Sequence, residues 1–427
     1  MFNEIKDESP IIVENLPSDI EKGKTYIINQ SCPNNFTHSY FKYPCKFIPE
    51  IPRWAINTYL EGENGVVYDP FSGSGTTLLE SIINHHSAMG TEIDPIAKLI
   101  IKVKTTKLSS EEILHVESYL EDILNKLSAK QKPKSINNNI NNIYHWFPEE
   151  TVESLSLVKE IIEEIENNNV SDFLKLCFVS IIRRVSYADD VSPKPYVSNR
   201  IKKIPGNVSD EFQKVVEKYL GDMRTFSNSS VQHTAVIVEG DALNAPKNLC
   251  VDLIITSPPY INAFDYARTL RLENLWLSYT TEDGLRERKK KYVGTESLNV
   301  KSEELNLEIL DDSELLRTYF YSILEVDKKR AMIVKRFFED MKKNIIEMHS
   351  ILKNEGRYCI VIGNSNIRGV EIESWKVLAE IGEKVGFLTE TYFNYLIQNH
   401  RLRIPRGGKG GKINNDYILV LKKRRSD

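Results

Sequence analysis

A serine followed by two prolines and a tyrosine is the segment of this sequence best suited to chemistry. Ser257-Pro258-Pro259-Tyr260 directly follows the apolar run 252–256, which predicts a strand that ends in a turn. The prolines fix φ and remove two backbone donors, and each restricts the residue before it to an extended conformation. The Ser257 hydroxyl and the Pro258 carbonyl are then left as acceptors beside the Tyr260 ring. This arrangement suits an aromatic amine held by its NH₂ and stacked on a ring, although such a turn can also simply end a strand.

A glycine-containing turn lies upstream, between a strand pattern and a helix pattern. Residues 69–77 read DPFSGSGTT and follow the apolar run 66–68. A strand, a glycine turn and a helix N-terminus bring backbone close to a ligand. Glu92 ends a second short strand seventeen residues beyond Gly75, where an acid can bind ribose hydroxyls in a doubly wound sheet. Because neither G-x-G-x-x-G nor a P-loop is present, a nucleoside without phosphates is favoured; the alternative is a purely structural glycine turn.

With both motifs in view, the chain resembles the amino-group DNA methyltransferases that use S-adenosylmethionine. Residues 71–75 match the cofactor loop of that family, Glu92 matches its ribose-binding acid, and residues 257–260 match its catalytic turn. Residues 240–243 (GDAL) resemble the motif whose carboxylate accepts from the adenine amino group. Residues 43–49 (YPCKFIP) resemble the segment that closes over the methionine end of the cofactor. These matches cover about half of the chain.

The resemblance implies S-adenosylmethionine as the cofactor, no metal, and a defined set of site residues. The implied cofactor-binding residues are Lys46, Phe47, Asp69, Phe71, Ser72, Gly73, Gly75, Thr76, Glu92 and Asp241. The implied catalytic residues are Ser257, Pro258, Pro259 and Tyr260. Phe264 and Tyr266 either extend the wall around the target base or pack as ordinary aromatic residues after the turn.

The amine chemistry follows from the acceptors of the turn. An exocyclic amine of cytosine or adenine is conjugated with its ring, so two acceptors that pyramidalise its nitrogen aim the lone pair at a methyl donor. Positioning and polarisation of this kind are what the protein must supply. The base cannot reach a cofactor inside a duplex and must be flipped out. A hydroxyl can accept from either base, but the resemblance implies N4 of cytosine over N6 of adenine, because serine at the head of the turn is more typical of the family members that act on cytosine. The lack of a cysteine there disfavours the cytosine ring carbon.

The favoured function is therefore a site-specific DNA methyltransferase of a restriction-modification system, with double-stranded DNA and a cognate restriction endonuclease as partners. An enzyme of the same fold acting on RNA or on a protein glutamine amide is the alternative. A nucleic-acid-binding module without turnover is a third hypothesis, and the intact residues 257–260 and Glu92 argue against it.

Clustered basic residues are the candidates for phosphate contact, because the formal net charge is only −4. The run 288–291 follows the catalytic turn. Other basic residues lie within 183–203 and within a glycine-rich stretch near the C-terminus. Each run could instead be a solvated face. The predicted DNA-binding residues are Arg183, Arg184, Arg401, Arg403, Arg406 and Lys409.

Length and composition are consistent with this function. The 427 residues, 41% of them hydrophobic, suffice for one large α/β domain with an insertion. The five cysteines are scattered without metal-binding spacing, which predicts reduced thiols in a cytoplasmic protein. Neither a signal sequence nor an apolar run of membrane-spanning length is evident.

The element pattern predicts a Rossmann-like methyltransferase fold of the α/β class, with a seven-stranded, mostly parallel sheet and a helical insertion. Residues 1–104 are expected to carry the cofactor loop and 105–232 the mainly helical insertion, a candidate for DNA recognition. Residues 233–427 are expected to carry the catalytic turn and the basic loop. Residues 1–36 are expected to be irregular, and 313–352 to form one long helix.

Overall fold

Two β-sheets organise the part of the chain that the computed structural model describes, which is residues 9–29, 36–44, 46–137, 139–200, 202–261, 265–303, 306–397 and 415–425. The strands within these ranges are β1 Ile11–Val13, β2 Thr25–Ile28, β3 Val66–Asp69, β4 Ser87–Gly90, β5 Ala235–Ile237, β6 Val251–Thr256, β7 Leu352–Gly363, β8 Ser365–Ile367, β9 Val370–Ile372, β10 Phe387–Leu396 and β11 Asn415–Lys423. Strands β8 and β9 form a separate antiparallel pair.

Helices connect the strands and cover both faces of the large sheet. They are α1 Glu50–Tyr59, α2 Thr76–Ile83, α3 Pro95–Thr105, α4 Ser110–Ser128, α5 Ile143–Trp146, α6 Glu149–Glu163, α7 Asn168–Ile181, α8 Val208–Ser227, α9 Tyr266–Thr269, α10 Arg271–Trp276, α11 Glu282–Lys289, α12 Val300–Glu303, α13 Glu314–Leu324, α14 Lys328–Ile351 and α15 Ser374–Val385. Two short 3₁₀ helices span Phe36–Ser39 and Glu308–Asp311.

The large sheet has the order β1-β2-β10-β11-β7-β6-β3-β4-β5 within the described ranges. Strand β11 runs antiparallel to β10 and β7, and the other pairings are parallel. This confirms the predicted Rossmann-like α/β fold. All seven expected strands are present, and two N-terminal strands extend the sheet to nine in this part of the chain.

The expectation that residues 1–36 are irregular was wrong for β1 and β2. Both strands are short and consist mainly of Ile, Val, Thr and Tyr, residues that suit a pleated, half-buried surface. Strand β2 pairs with the free edge of β10 through Thr25 and Tyr26. Tertiary pairing with a distant strand therefore creates these elements, which a local pattern of three or four residues does not reveal.

The carboxyl ends of β3 and β6 lie side by side in the middle of the sheet. Val67 pairs with Leu253, and Tyr68 pairs with Ile254. From β3 the chain continues outward to β4 and β5, whereas after returning at β6 it continues to β7 on the other side. In open α/β sheets such a reversal leaves a crevice at the carboxyl edge, where ligands bind. The two sequence motifs follow these two strands, so the topology brings both to that crevice.

The strands beneath the crevice are buried on both faces. Leu253 and Ile255 of β6 pack in a core with α1, whereas Ile254 packs in a second core with α14 and α15, as the alternation of a pleated strand requires. A third core joins α2 and α3 to helices α4, α6, α7 and α8. The turns at the strand ends thus extend from a closely packed base.

The insertion predicted for residues 105–232 contains helices α4 to α8. Helix α8 is twenty residues long. It was not predicted from the sequence as an individual helix, although its buried residues recur at helical spacing. Tyr219 of α8 stacks on Tyr40, with ring centroids 4.2 Å apart, and the Tyr40 hydroxyl donates to the Tyr219 carbonyl at 2.5 Å. The insertion therefore packs directly against the segment that leads to α1, and its role in DNA recognition stays a prediction.

The helix expected over 313–352 is two helices. Helix α13 ends at Leu324, and α14 begins at Lys328 with Asp327 as its N-cap, whose side chain accepts from the Arg330 amide. An aspartate that caps a new helix satisfies one of the amides that a helix start leaves unpaired. This short polar break separates two apolar patterns that look continuous in the sequence.

The buried Glu273 of α10 should make stability depend on pH. Burial raises the pKa of its carboxyl to about 7, whereas a glutamate in an unfolded chain has a pKa of about 4.3. The folded protein therefore binds the extra proton between these values, and the contribution of Glu273 to the free energy of unfolding falls as the pH rises through that window. Relative to the parent, Glu273→Gln is expected to gain stability between about pH 5 and pH 7.5, measured by denaturant unfolding at each pH.

The matched control is Glu121→Gln, which removes an exposed carboxylate of α4. Its stability relative to the parent should stay constant over the same pH range. A difference between parent and Glu273→Gln that does not change with pH would contradict this linkage.

Candidate active site

The glycine turn is held in place by backbone geometry and by a buried lysine. Gly75 caps α2 with φ +74°, and a Cβ there would lie 2.9 Å from Ile101 Cγ1. Gly73 has φ +49°, a left-handed conformation that glycine adopts at no steric cost. The fully buried Lys104 donates from Nζ to the Ser74 carbonyl at 2.7 Å. Burial lowers the pKa of Lys104 well below its usual value.

Asp69 ties the glycine turn to the strand that carries the catalytic turn. Its buried carboxylate accepts from the Thr256 hydroxyl at 2.5 Å and from the Phe71 amide at 3.0 Å. Burial raises the pKa of this carboxyl to about 6, and the bond from Thr256 opposes that rise. Asp69 therefore couples the ends of β3 and β6, beneath the surface on which a ligand would lie.

Glu92 braces the same turn from the end of β4. Its Oε2 accepts from the Gly73 amide at 2.8 Å, and its Oε1 accepts from the amides of Ile93 and Asp94 at 2.8 and 2.9 Å. Burial is the main reason that the pKa of Glu92 rises to about 7, and the neighbouring Asp94 raises it further. A carboxylate offers about four acceptor positions, so Glu92 can accept a further donor from the crevice.

The catalytic turn leaves β6 at Thr256. Pro258 is buried, whereas Ser257, Pro259 and Tyr260 are partly exposed. The Tyr260 hydroxyl donates to Asp416 Oδ1 at 2.5 Å. The turn is thus held at its start by the strand and at its end by a side chain of β11.

Both motifs line one cleft of about 810 Å³, including the solvent at its mouth. The predicted residues that line the cleft are Lys46, Phe47, Phe71, Ser72, Gly73, Thr76, Glu92, Asp241, Ser257 and Pro259. The predicted residues outside its lining are Asp69, Gly75, Pro258 and Tyr260. The structure therefore brings the diproline turn and the glycine turn together, and the roles of the individual residues stay predictions.

A row of three tyrosines forms one wall of the cleft, and of these only Tyr266 was named from the sequence as a candidate wall residue. Tyr43 stacks on Tyr266 with ring centroids 6.2 Å apart, and Tyr266 stacks on Tyr292 at 5.9 Å. The Tyr292 hydroxyl donates to Asp94 Oδ2 at 3.1 Å. Tyr43 and Tyr266 lie in segments that the motifs had already singled out, whereas no local pattern pointed to Tyr292.

Three of the four residues in the basic run 288–291 form ion pairs or hydrogen bonds with other side chains of the protein. Arg288 contacts the buried Asp94 at 3.5 Å and donates to the Asn274 side chain at 3.0 Å. Lys289 pairs with Asp265, and Lys290 pairs with Glu287. Lys291 lines the cleft. These contacts fasten the segment after the catalytic turn to the strand end that carries Glu92.

The predicted DNA-binding arginines at the end of α7 have different surroundings. Arg183 donates to the carbonyls of Ser192 and Pro193 at 2.7 and 3.3 Å, so its guanidinium orders the following loop. Arg184 is half-exposed and pairs with Glu211 at 3.2 Å. Arg401, Arg403, Arg406 and Lys409, like Phe264, lie outside the described residues.

The described ranges contain neither a cluster of metal ligands nor a membrane-spanning helix. No three His, Cys, Asp or Glu side chains there are grouped so that they could hold a metal ion. Among the helices of those ranges, none has the length and apolar character needed to cross a bilayer.

Several known proteins are similar to this chain. Residues 4–103 match the family model N6_N4_Mtase, described as DNA methylase. The chain is 26% identical over 451 residues to the Type II methyltransferase M.MvaI of Kocuria varians, covering 98% of each. It is also 26% identical over 407 residues to the Type II methyltransferase M.AvaI of Anabaena variabilis, covering 85% of this chain and 80% of that protein. A TehB-like SAM-dependent methyltransferase from Corynebacterium glutamicum has a TM-score of 0.28 at 10% identity, over 88% of this chain and 87% of that one.

The sheet order and the cleft at its switch point are those of a Rossmann-like α/β fold that binds a ligand at the carboxyl edge of the sheet. The family match over residues 4–103 and the two relatives support an amino-group DNA methyltransferase that uses S-adenosylmethionine. This confirms the resemblance on which the sequence analysis relied.

The cleft fits that cofactor on its own geometry. Glu92 and Asp241 present carboxylate oxygens, which suit the hydroxyl and amino donors of a nucleoside. The left-handed Gly73 carries no side chain that would fill the space in front of the turn. Apolar and aromatic side chains complete the lining, as is usual where a ligand is largely buried.

Proposed function

We propose that this protein transfers a methyl group to N4 of a cytosine flipped out of double-stranded DNA. The observation that supports this most strongly is that Ser257 and Gly73 line one cleft. When bound, S-adenosylmethionine supplies an electrophilic methyl group. The Ser257 hydroxyl and the Pro258 carbonyl oxygen accept hydrogen bonds from the two N–H groups of the target amine, which directs the nitrogen lone pair into the cleft. On gaining the methyl group the amine would release one of these protons to solvent, and the cofactor would be left as S-adenosylhomocysteine. Positioned acceptors of this kind act before the reaction begins and need no reorganisation during it.

The cofactor-binding roles follow the geometry of the cleft. Glu92 accepts from the ribose hydroxyls, using the acceptor capacity that its three amide donors leave. Asp241 accepts from the adenine amino group and is itself held by the Leu243 amide at 2.8 Å. Lys46 and Phe47 lie at the methionine end; Lys46 Nζ donates to the His38 carbonyl at 2.9 Å.

Serine at position 257 favours cytosine N4 over adenine N6. The acceptor there is a neutral hydroxyl that follows β6 directly, and in the resembling family serine is more typical of the enzymes that act on cytosine. Both curated relatives are named Type II methyltransferases. We therefore place the activity in a restriction-modification system, in which the methylated site protects DNA from a cognate endonuclease.

The loop between α7 and α8 has the character of a DNA-contacting surface. Its exposed cations include Lys194, Arg200 and Lys202. Tyr196 is also exposed, and Lys42, next to the cleft residue Tyr43, donates to the Asp190 carbonyl of this loop at 3.3 Å. Basic residues with an interleaved aromatic, anchored beside the cleft, suit a phosphate backbone that carries a flipped base. Arg184 and the C-terminal basic residues are proposed to extend this contact.

The triple variant Lys194→Glu, Arg200→Glu, Lys202→Glu is expected to weaken DNA binding by about tenfold or more at low salt. Each lost phosphate contact should also lower the slope of log K against log salt by about one. Fluorescence anisotropy with a labelled duplex at several salt concentrations measures both quantities.

A second triple variant serves as the charge-matched control. Lys22→Glu, Lys329→Glu and Lys384→Glu reverse three exposed charges outside residues 105–232, and should leave both the affinity and the salt slope nearer to those of the parent. Equal losses in the two triple variants would contradict a specific contact by the loop.

Nucleoside analysis tests the proposed reaction. The protein is incubated with methyl-labelled S-adenosylmethionine and unmethylated plasmid DNA, the DNA is digested to nucleosides, and the labelled nucleoside is identified by mass and by comparison with standards. N4-methyldeoxycytidine supports the proposal, whereas N6-methyldeoxyadenosine or 5-methyldeoxycytidine refutes the assigned base. A parallel incubation with total RNA in place of DNA completes the test: label in the RNA but not in the DNA would refute the assigned substrate.

A further inference from the structure

A buried carboxylate on β11 lies at the far end of the catalytic turn. Asp416 is only 6% exposed and accepts two phenolic hydrogen bonds, from Tyr260 at 2.5 Å and from Tyr395 at 2.9 Å. Within the described ranges, no Lys, Arg or His forms an ion pair with it. A short O–H···O bond to a carboxylate is among the stronger hydrogen bonds in proteins, so this contact fixes the tip of the Tyr260 side chain.

The sheet register explains how Tyr260 reaches Asp416. Tyr260 follows β6, and β7 lies between β6 and β11 in the sheet. Asp416 is paired with Gly363, the last residue of β7. Paired residues of antiparallel strands point to the same face, and Gly363 places no side chain there. The phenol can therefore cross the end of β7 to the carboxylate.

Two constraints together fix the Tyr260 ring. Its backbone end follows the diproline, which allows few conformations, and its hydroxyl end is held by Asp416. The ring also packs against the core beneath α14 and α15 while staying partly exposed. A ring held at both ends presents a fixed face, which is what the stacking of a flipped base requires.

We infer that Asp416 is a positioning residue of the methyl-transfer reaction, which holds the Tyr260 ring in the orientation that receives the target base. Its two side-chain hydrogen bonds among the described residues come from Tyr260 and Tyr395, so it acts through Tyr260. This inference rests on the proposed function, because it assigns Tyr260 to the capture of the base.

A double-mutant cycle tests the inference. The parent, Tyr260→Phe, Asp416→Leu and the double variant are compared in single-turnover methylation of plasmid DNA, together with their affinity for S-adenosylhomocysteine. Each single variant is expected to lower the transfer rate by about tenfold to a hundredfold with unchanged cofactor affinity. The double variant should be no slower than the slower single variant, because both changes break the same contact.

Two further variants separate positioning from general damage. Asp416→Asn keeps a carbonyl that can accept from Tyr260 and should restore most of the rate lost in Asp416→Leu. Tyr358→Phe removes another buried phenol, which donates to Asn344 at 2.5 Å, and should leave the transfer rate unchanged. The melting temperature of every variant is recorded, and Tyr260→Phe with Asp416→Asn keeps the test valid if Asp416→Leu does not fold.

The outcomes are distinct. A parent that does not methylate plasmid DNA overturns the proposed function itself. If the parent is active, two results would overturn this inference alone. One is a full transfer rate in Tyr260→Phe; the other is that the losses of Tyr260→Phe and Asp416→Leu multiply in the double variant. A single shared loss, with Asp416→Asn close to the parent, supports it.

Discussion

Replacing Ser257 by alanine is expected to slow methyl transfer by about a hundredfold to a thousandfold, the cost that is typical of removing one preorganised polar contact to a reacting group. The hydroxyl lies at the head of the turn on the edge of the cleft, where we propose that it accepts an N–H of the target amine. The change removes one oxygen atom and leaves the two prolines and the strand intact. Affinity for S-adenosylmethionine should therefore stay close to that of the parent. Single-turnover methylation and equilibrium dialysis with labelled cofactor measure the two quantities.

The matched control is Ser322→Ala in α13, where the hydroxyl donates to the Thr318 carbonyl on the exposed side of the helix. That variant should methylate DNA at the parental rate. If Ser257→Ala also methylates at the parental rate, Ser257 is not an acceptor for the amine. If it loses rate and cofactor affinity together, the hydroxyl serves the cofactor rather than the base.

The second large effect is expected at the glycine turn. Gly73→Val places a β-branched side chain at φ +49°, a conformation that such residues rarely adopt, with its Cβ 3.4 Å from the Tyr43 ring in the cleft wall. The turn has to move to relieve the strain, and its amide then leaves Glu92. We expect cofactor affinity to fall about a hundredfold or more, each factor of ten corresponding to about 1.4 kcal/mol. Isothermal titration with S-adenosylhomocysteine measures the loss.

Gly369→Val is the matched control for backbone strain. Gly369 has φ +87° in the tight connection between β8 and β9, and a Cβ there would meet nothing within 4 Å. This variant should carry a comparable conformational cost and still bind the cofactor normally. Normal binding by Gly73→Val would show that the turn does not approach the ligand.

The two motifs could be predicted to meet because each follows a buried parallel strand. In a doubly wound sheet the strands that flank the reversal end at one crevice, and residues 66–69 and 251–256 are those strands. The residue types of the turns then indicated which chemistry the crevice serves. For these elements, local pattern and topology agree.

Other parts of the site arise from contacts between distant segments. Asp416 lies 156 residues beyond Tyr260, and Tyr292 lies 198 residues beyond Asp94. Neither residue stands in a motif, and an isolated Asp or Tyr in a sequence carries no information about such a partner. Strands β1 and β2 were missed for a similar reason, because the edge of β10 defines them. Helix α8, in contrast, has an apolar period that a complete scan of the sequence would have found.

A crystal structure of the protein with S-adenosylhomocysteine tests the central claim most directly, since that claim is that one cleft serves both the cofactor and the target amine. We predict the nucleoside between the glycine turn and Glu92, and the sulfur end facing the turn at Ser257. Density for the ligand elsewhere on the molecule, or in the cleft with its sulfur directed away from Ser257, would contradict the account.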